Sequence, residues 1–91
     1  MIIVGRKLLE AFALKHADSR KALNVWINLV ENSHWYTPQD IKSMYRSVDF
    51  LSDNRVIFNI RDNHYRLLVK VRYINGVVKV EWVVLMPSMI N

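Results

Sequence analysis

RVIFNIRDNHYRLLVKVRYINGVVKVEWVV, Arg55 to Val84, decides the fold. Apolar and polar residues alternate through three runs, and two turn signals separate them, Asp62-Asn63 and Asn75-Gly76. Asn-Gly between alternating runs is the strongest short-range hairpin signal, and Asp-Asn supplies the same positive φ angles less comfortably. The stretch predicts three antiparallel strands joined by two tight turns.

Two-residue turns set a register. The first pairs Arg61 with His64, Ile60 with Tyr65, Asn59 with Arg66 and Ile57 with Leu68. The second pairs Arg72 with Lys79, Lys70 with Glu81 and Leu68 with Val83. Side chains alternate faces along a strand. One predicted face therefore carries Val56, Phe58, Ile60, Tyr65, Leu67, Val69, Val71, Tyr73, Val78, Val80, Trp82 and Val84. The other carries Arg55, Ile57, Asn59, Arg61, His64, Arg66, Leu68, Lys70, Arg72, Val77, Lys79, Glu81 and Val83. That second face holds six of the thirteen Lys and Arg residues and one acid.

An ordinary solvated sheet face mixes charge signs, because like charges placed opposite each other are destabilising. The bland reading of this face is simple exposure. The functional reading is a surface for a polyanion, where guanidinium forks and ammonium groups neutralise phosphates. On that reading Arg55, Asn59, Arg61, Arg66, Lys70, Arg72 and Lys79 contact RNA. Tyr65 and Tyr73 fall on the apolar face and read as core.

Ninety-one residues make one domain with one modest core. A net charge of +5 favours an acidic partner, nucleic acid first, then a membrane surface or an acidic protein. The absence of cysteine excludes disulfides and thiolate metal sites and fits a reducing cytoplasm. No apolar run is long enough to span a bilayer, and the opening MIIVGRKLLEAFALKHA lacks the features of a signal peptide. No membrane partner is expected.

Upstream, Met1 to Val4 reads as an edge strand ended by Gly5. Leu8, Leu9, Phe12, Ala13 and His16 recur at helical spacing over Arg6 to Ala17. Asp18 or Ser19 caps a second helix to about Asn32, with Ala22, Leu23, Trp26, Ile27, Leu29 and Val30 as its apolar stripe. Thr37-Pro38-Gln39-Asp40 starts a short third helix ending near Arg46. Ser47 to Asn54 reads as a loop anchored by Val48, Phe50 and Leu51. The string is β-α-α-α-β-β-β, an α+β layer whose helices cover the apolar sheet face and leave the basic one open.

His16, His34 and His64 have no metal-ligand spacing, and no cofactor is expected. Neither a Gly-rich phosphate loop nor a serine nucleophile signature is present. Metal-free RNA cleavage needs a group to take the 2′-hydroxyl proton, a group to hold charge on the phosphate, and a group to protonate the leaving oxygen. Arg61, Arg66 and Arg72 suit the second need. Histidine is the side chain that changes charge near neutral pH, and His64 is the one on this face. A hairpin-tip histidine is more often exposed than catalytic. Arg61, Arg66 and His64 are the candidate catalytic set.

The segment RVIFNIRDNHYRLLV resembles the HigB branch of the RelE-like toxins, ribosome-dependent messenger-RNA interferases of toxin–antitoxin pairs. Phe58-Asn59-Ile60, Arg61, Asn63 and Tyr65-Arg66-Leu67 carry the likeness, helped by Arg6-Lys7, Trp26, Trp35 and the Ser47-Val48-Asp49 turn. The resemblance implies a RelE-like fold, RNA cleavage on the ribosome, and neutralisation by a HigA-like helix-turn-helix antitoxin.

The tail departs from that pattern. Family members continue with a segment like GTHAEYDK, whose histidine, tyrosine and acid complete the active site, whereas this chain has VLMPSMIN from Val84 to Asn91. GTHAEYDK can be written GGT ACT CAT GCC GAG TAT GAT AAA, followed by T. Read one base later, the same letters give GTA CTC ATG CCG AGT ATG ATA AAT, which translates as VLMPSMIN. A frame change near Val83 accounts for the tail and implies RNA binding with poor cleavage. Leu85, Met86, Met89 and Ile90 are then expected to pack over the sheet edge or promote self-association. The alternatives are a non-catalytic RNA-binding module and a purely protein-binding or antitoxin-binding module.

Overall fold

The computed structural model describes residues 1–61 and 64–85. In chain order the elements are β1 (Ile2–Val4), α1 (Arg6–Lys15), a 3-10 turn (Ala17–Ser19), α2 (Arg20–Glu31), α3 (Pro38–Met44), β2 (Val48–Phe50), β3 (Arg55–Ile60), β4 (Tyr65–Arg72) and β5 (Val77–Leu85). The strands form one sheet in the order β1-β5-β4-β3-β2. All neighbours are antiparallel except β1, which runs parallel to β5.

Each start and stop has a local cause. Gly5 turns the chain from β1 into α1 at φ 90°, and its α-carbon lies so close to β5 that a β-carbon would meet the Val80 carbonyl at 3.0 Å. The first helix ends at Lys15, two residues earlier than its pattern predicts, because Ala17–Ser19 tightens into the 3-10 turn. There Ser19 Oγ donates to the His16 carbonyl rather than capping α2. The third helix starts as expected. Thr37 accepts from the Asp40 amide, Asp40 accepts from the Thr37 amide, and Pro38 takes the first position.

The helices bury Leu9, Ala13, Leu23, Trp26, Ile27, Val30 and Ile41 against one sheet face. Phe58 is the hub of that core. Trp26 meets it edge-on at 5.4 Å, Tyr45 edge-on at 5.3 Å, and Trp35 stacks on it at 6.0 Å. The opposite face of the sheet carries no helix among the described residues.

Pairing of β3 with β4 follows the predicted register: Ile60 opposite Tyr65, Asn59 opposite Arg66, Ile57 opposite Leu68. The Asp62-Asn63 turn lies outside the described residues. Pairing of β4 with β5 differs. The loop holds four residues, Tyr73 to Gly76, so Arg72 faces Val77 and Lys70 faces Lys79. The predicted pairs Arg72–Lys79, Lys70–Glu81 and Leu68–Val83 do not form. A bulge then follows: Val69 faces Val80 but Leu68 faces Trp82, leaving Glu81 as the extra residue. One extra residue exchanges the faces of everything beyond it. Trp82 and Val84 therefore point to the open face, and Val83 turns inward to pack on the core.

Residues 47–54 are also more ordered than a loop. Val48–Phe50 pairs with β3, with Val48 buried while Phe50 and Leu51 stay exposed. Asp53 and Asn54, both at positive φ, make the hairpin turn.

Candidate nucleic-acid interface

Cross-strand partners share a face, so the open side of the sheet can be read as rows. One row is Asn59, Arg66 and Val84. The next is Asp49, Ile57, Leu68 and Trp82. Beyond it lie Arg55, Lys70, Lys79 and Val4, and then Arg72, Val77 and Ile2. The sheet geometry thus sets Arg66 on one side of an apolar strip and Arg55, Lys70 and Lys79 on the other.

Carboxylates tether most of these cations, two of them, Asp49 and Asp53, from outside the three-strand stretch. Arg66 donates through Nε to Asn59 Oδ1 and through Nη2 to Asp49 Oδ2, both at 3.2 Å. Asn59 Nδ2 closes the triangle on Asp49 at 3.2 Å. Lys70 Nζ reaches Asp53 at 3.1 Å, and Arg55 sits 3.6 Å from Glu81 and 4.0 Å from Asp53. The Lys70 ammonium, by hydrogen bond and charge, holds the Asp53 carboxyl below the usual carboxylate range. Arg72 and Lys79 have no ion-pair partner among the described residues. A cleft of ≈ 450 Å³ opens beside Lys70 and Arg72, lined also by Asp53, Asn54 and Ile74.

Arg61 departs from the open face that alternation predicts for it: its guanidinium binds Asp18 at 2.5 Å, beside the helices. The Tyr65 hydroxyl and then Arg61 hold the Asp18 carboxyl low, and burial pushes the Tyr65 phenol up. Arg61 itself lies at φ 53°, a left-handed backbone that a long side chain rarely adopts. With Asp18, Lys21, Trp26 and Tyr45 it lines a separate cleft of ≈ 440 Å³. His64 stays exposed at the hairpin tip, with Nδ1 2.7 Å from the Arg61 carbonyl. A carbonyl only accepts, so Nδ1 carries the proton and Nε2 is left as the acceptor.

The candidate residues thus divide. Arg55, Asn59, Arg66, Lys70, Arg72 and Lys79 share the open face, whereas Arg61 departs and His64 stands at the margin. Sequence reasoning missed Asp49 and Asp53, although the Asp53-Asn54 pair is itself a turn signal for the β2–β3 hairpin. It also missed Trp82. Among the described residues no three His, Asp or Glu side chains converge to hold a metal ion, and no helix is long and apolar enough to cross a membrane. Leu85 pairs with Tyr65 at the end of β5 and is exposed. Met86, Met89 and Ile90 lie outside the described residues.

A family described as HigB_toxin, RelE-like toxic component of a toxin-antitoxin system, matches residues 19–85. No curated protein matches the chain.

Proposed function

Because the chain belongs to the HigB toxin family, the RelE-like toxic components of toxin–antitoxin systems, we propose that it binds messenger RNA on the open sheet face, as a messenger-RNA interferase of reduced activity. Membership also implies an antitoxin partner. The proposed partner is of the HigA-like helix-turn-helix type, the proposed site of action is the ribosome, and the proposed location is the cytoplasm.

The observation that carries the RNA reading is the placement of Arg66, Lys70, Arg72 and Lys79 on the one sheet face that no helix covers among the described residues. Arg66 is held by Asn59 and Asp49, so its fork is oriented before a phosphate arrives. Such orientation lowers the entropy cost of binding an oxyanion. Arg72 and Lys79 add charge with no carboxylate to displace among the described residues.

Cleavage needs more than charge. Guanidinium groups stay protonated, so they stabilise a phosphate without moving protons. His64 offers one proton acceptor, Nε2, at the edge of the face. A second proton-transfer group is required for the leaving oxygen. The family tail would supply it, and Val84 to Asn91 has none of that tail's histidine, tyrosine or acid. We therefore expect RNA binding to persist and cleavage to be slow.

Replacing residues 84–91 with GTHAEYDK tests the reading. The grafted chain should cleave messengers on translating ribosomes and arrest growth, while the present chain does so weakly. Cleavage by the present chain at the grafted chain's rate would refute the impairment. Growth unaffected by either chain would refute the interferase reading and favour a binding module.

A further inference from the structure

We propose that Trp82 is a stacking platform for an RNA base, with Arg66 on one side and Lys70 and Lys79 on the other to take the flanking phosphates. The proposal rests on the reading of the open face as an RNA surface, and it names how a base is held there.

The bulge at Glu81 is what creates the platform. Uninterrupted alternation would bury Trp82 in the core beside Val80. The extra residue turns it outward instead, opposite Leu68, where it is 38% exposed. Trp26 and Trp35, by contrast, are each 1% exposed. Ile57 and Leu68 run inward from Trp82 along the same row and are buried at 8% and 6% although they sit on the open face. The row thus runs from the Asp49 carboxylate through two buried apolar residues to a large aromatic at its outer end.

Adjacent rows on one face lie roughly 7 Å apart. Arg66 stands in the row on one side of the strip, and Lys70 and Lys79 in the row on the other. A single strand crossing the rows can place a base on the indole while its backbone meets cations on both sides. That is the composition of a single-strand platform: an aromatic ring within a positively charged surface. Every base has a π-face, so the stacking is indifferent to sequence, and Arg55 and Glu81 pair at 3.6 Å beside the bulge.

The location of the three tryptophans makes the test direct. A fluorescein-labelled single-stranded RNA of about ten nucleotides is titrated into the full chain. Anisotropy then reports binding, and indole emission reports stacking at Trp82. The expected result is quenching in step with the anisotropy rise. Trp82→Ala should weaken affinity about tenfold, leave the salt slope unchanged and abolish the quenching, and Trp82→Phe should recover most of the affinity. The emission of buried Trp26 and Trp35 and the urea midpoint show whether the Ala variant is folded. Salt-sensitive binding with unchanged emission and undiminished affinity of folded Trp82→Ala would overturn the stacking role and leave the RNA face standing. No salt-sensitive binding at all would overturn both. Quenching by an acidic protein and not by RNA would overturn the stacking role and assign Trp82 to a protein surface instead.

Discussion

At the scale of single residues, the open face is less basic than its sequence suggests. Asp49, Asp53 and Glu81 each sit against a cation drawn from the other strands. Such exposed pairs contribute little to stability, so their consequence is orientation. Removing cations should still be read in the salt dependence of binding, at about 0.7 in the logarithmic slope for each phosphate left without its cation on a single strand. Arg66→Ala combined with Arg72→Ala should lower the slope by about 1.4 while leaving the circular dichroism spectrum unchanged. An unaltered slope would show that phosphates bind elsewhere. Acid titration reports on two of the paired carboxylates, Asp53 on this face and Asp18 beside the helices. Asp18 and Asp53 have folded pKa values below the ordinary carboxylate value of about 3.9. The folded state therefore binds their protons less readily than the unfolded chain does. Their contribution is present above about pH 4 and fades as the pH falls through the folded values. The double variant Asp18→Asn, Asp53→Asn should accordingly show a flatter loss of thermal stability below about pH 4 than the parent chain. The positions of Arg55, Asn59, Arg66, Lys70 and Arg72 on one face were legible from alternation. The departure of Arg61 was not, since nothing local announces that Asp18, forty-three residues away, will claim it.

At the scale of elements, capping and turn chemistry were readable wherever they are local. Thr37-Pro38 and the following Asp40 state the start of α3 in full. Alternation likewise gave β3 and β4 and the register between them. The β4–β5 register depended on the residues around Asn75-Gly76 acting as a two-residue turn. The chain instead uses four residues, which leaves the faces of β5 as predicted up to Val80, and a bulge then exchanges them from Trp82 onward. A pair of substitutions distinguishes the two registers. Val83 packs on the core and Val84 is exposed on the open face. Val83→Asp should cost about 2 kcal/mol by setting an unpaired carboxylate at a half-buried site against the core, and Val84→Asp within about 0.5 kcal/mol. Equilibrium urea unfolding measures both, and the reverse ranking would restore the uninterrupted register. A short strand such as β2 is the hardest element to read. Three residues give alternation too little length, and its pairing comes from β3 rather than from its own pattern.

At the scale of the whole molecule, the helices cover one side of the sheet and the charges occupy the other, so the core and the proposed RNA surface are built from the same strands. That division was visible in the binary pattern of Arg55 to Val84 before any coordinate. The parallel docking of β1 on β5 was not, because it joins Ile2 to Val77 and no local signal spans that distance. Pairings of such long sequence separation form only after the chain has closed a costly loop. A chain ending before Val77 would lack the strand that links β1 to β4. Such a truncation should show no cooperative urea transition, and a sigmoidal one would show that the β2–β3–β4 sheet suffices. During synthesis this long-range closure comes late: a partly made polypeptide lacks the finished form of the proposed nucleic-acid surface. Interrupted translation should therefore yield harmless fragments, and any hazard to the cell would begin only once β5 emerges from the exit tunnel.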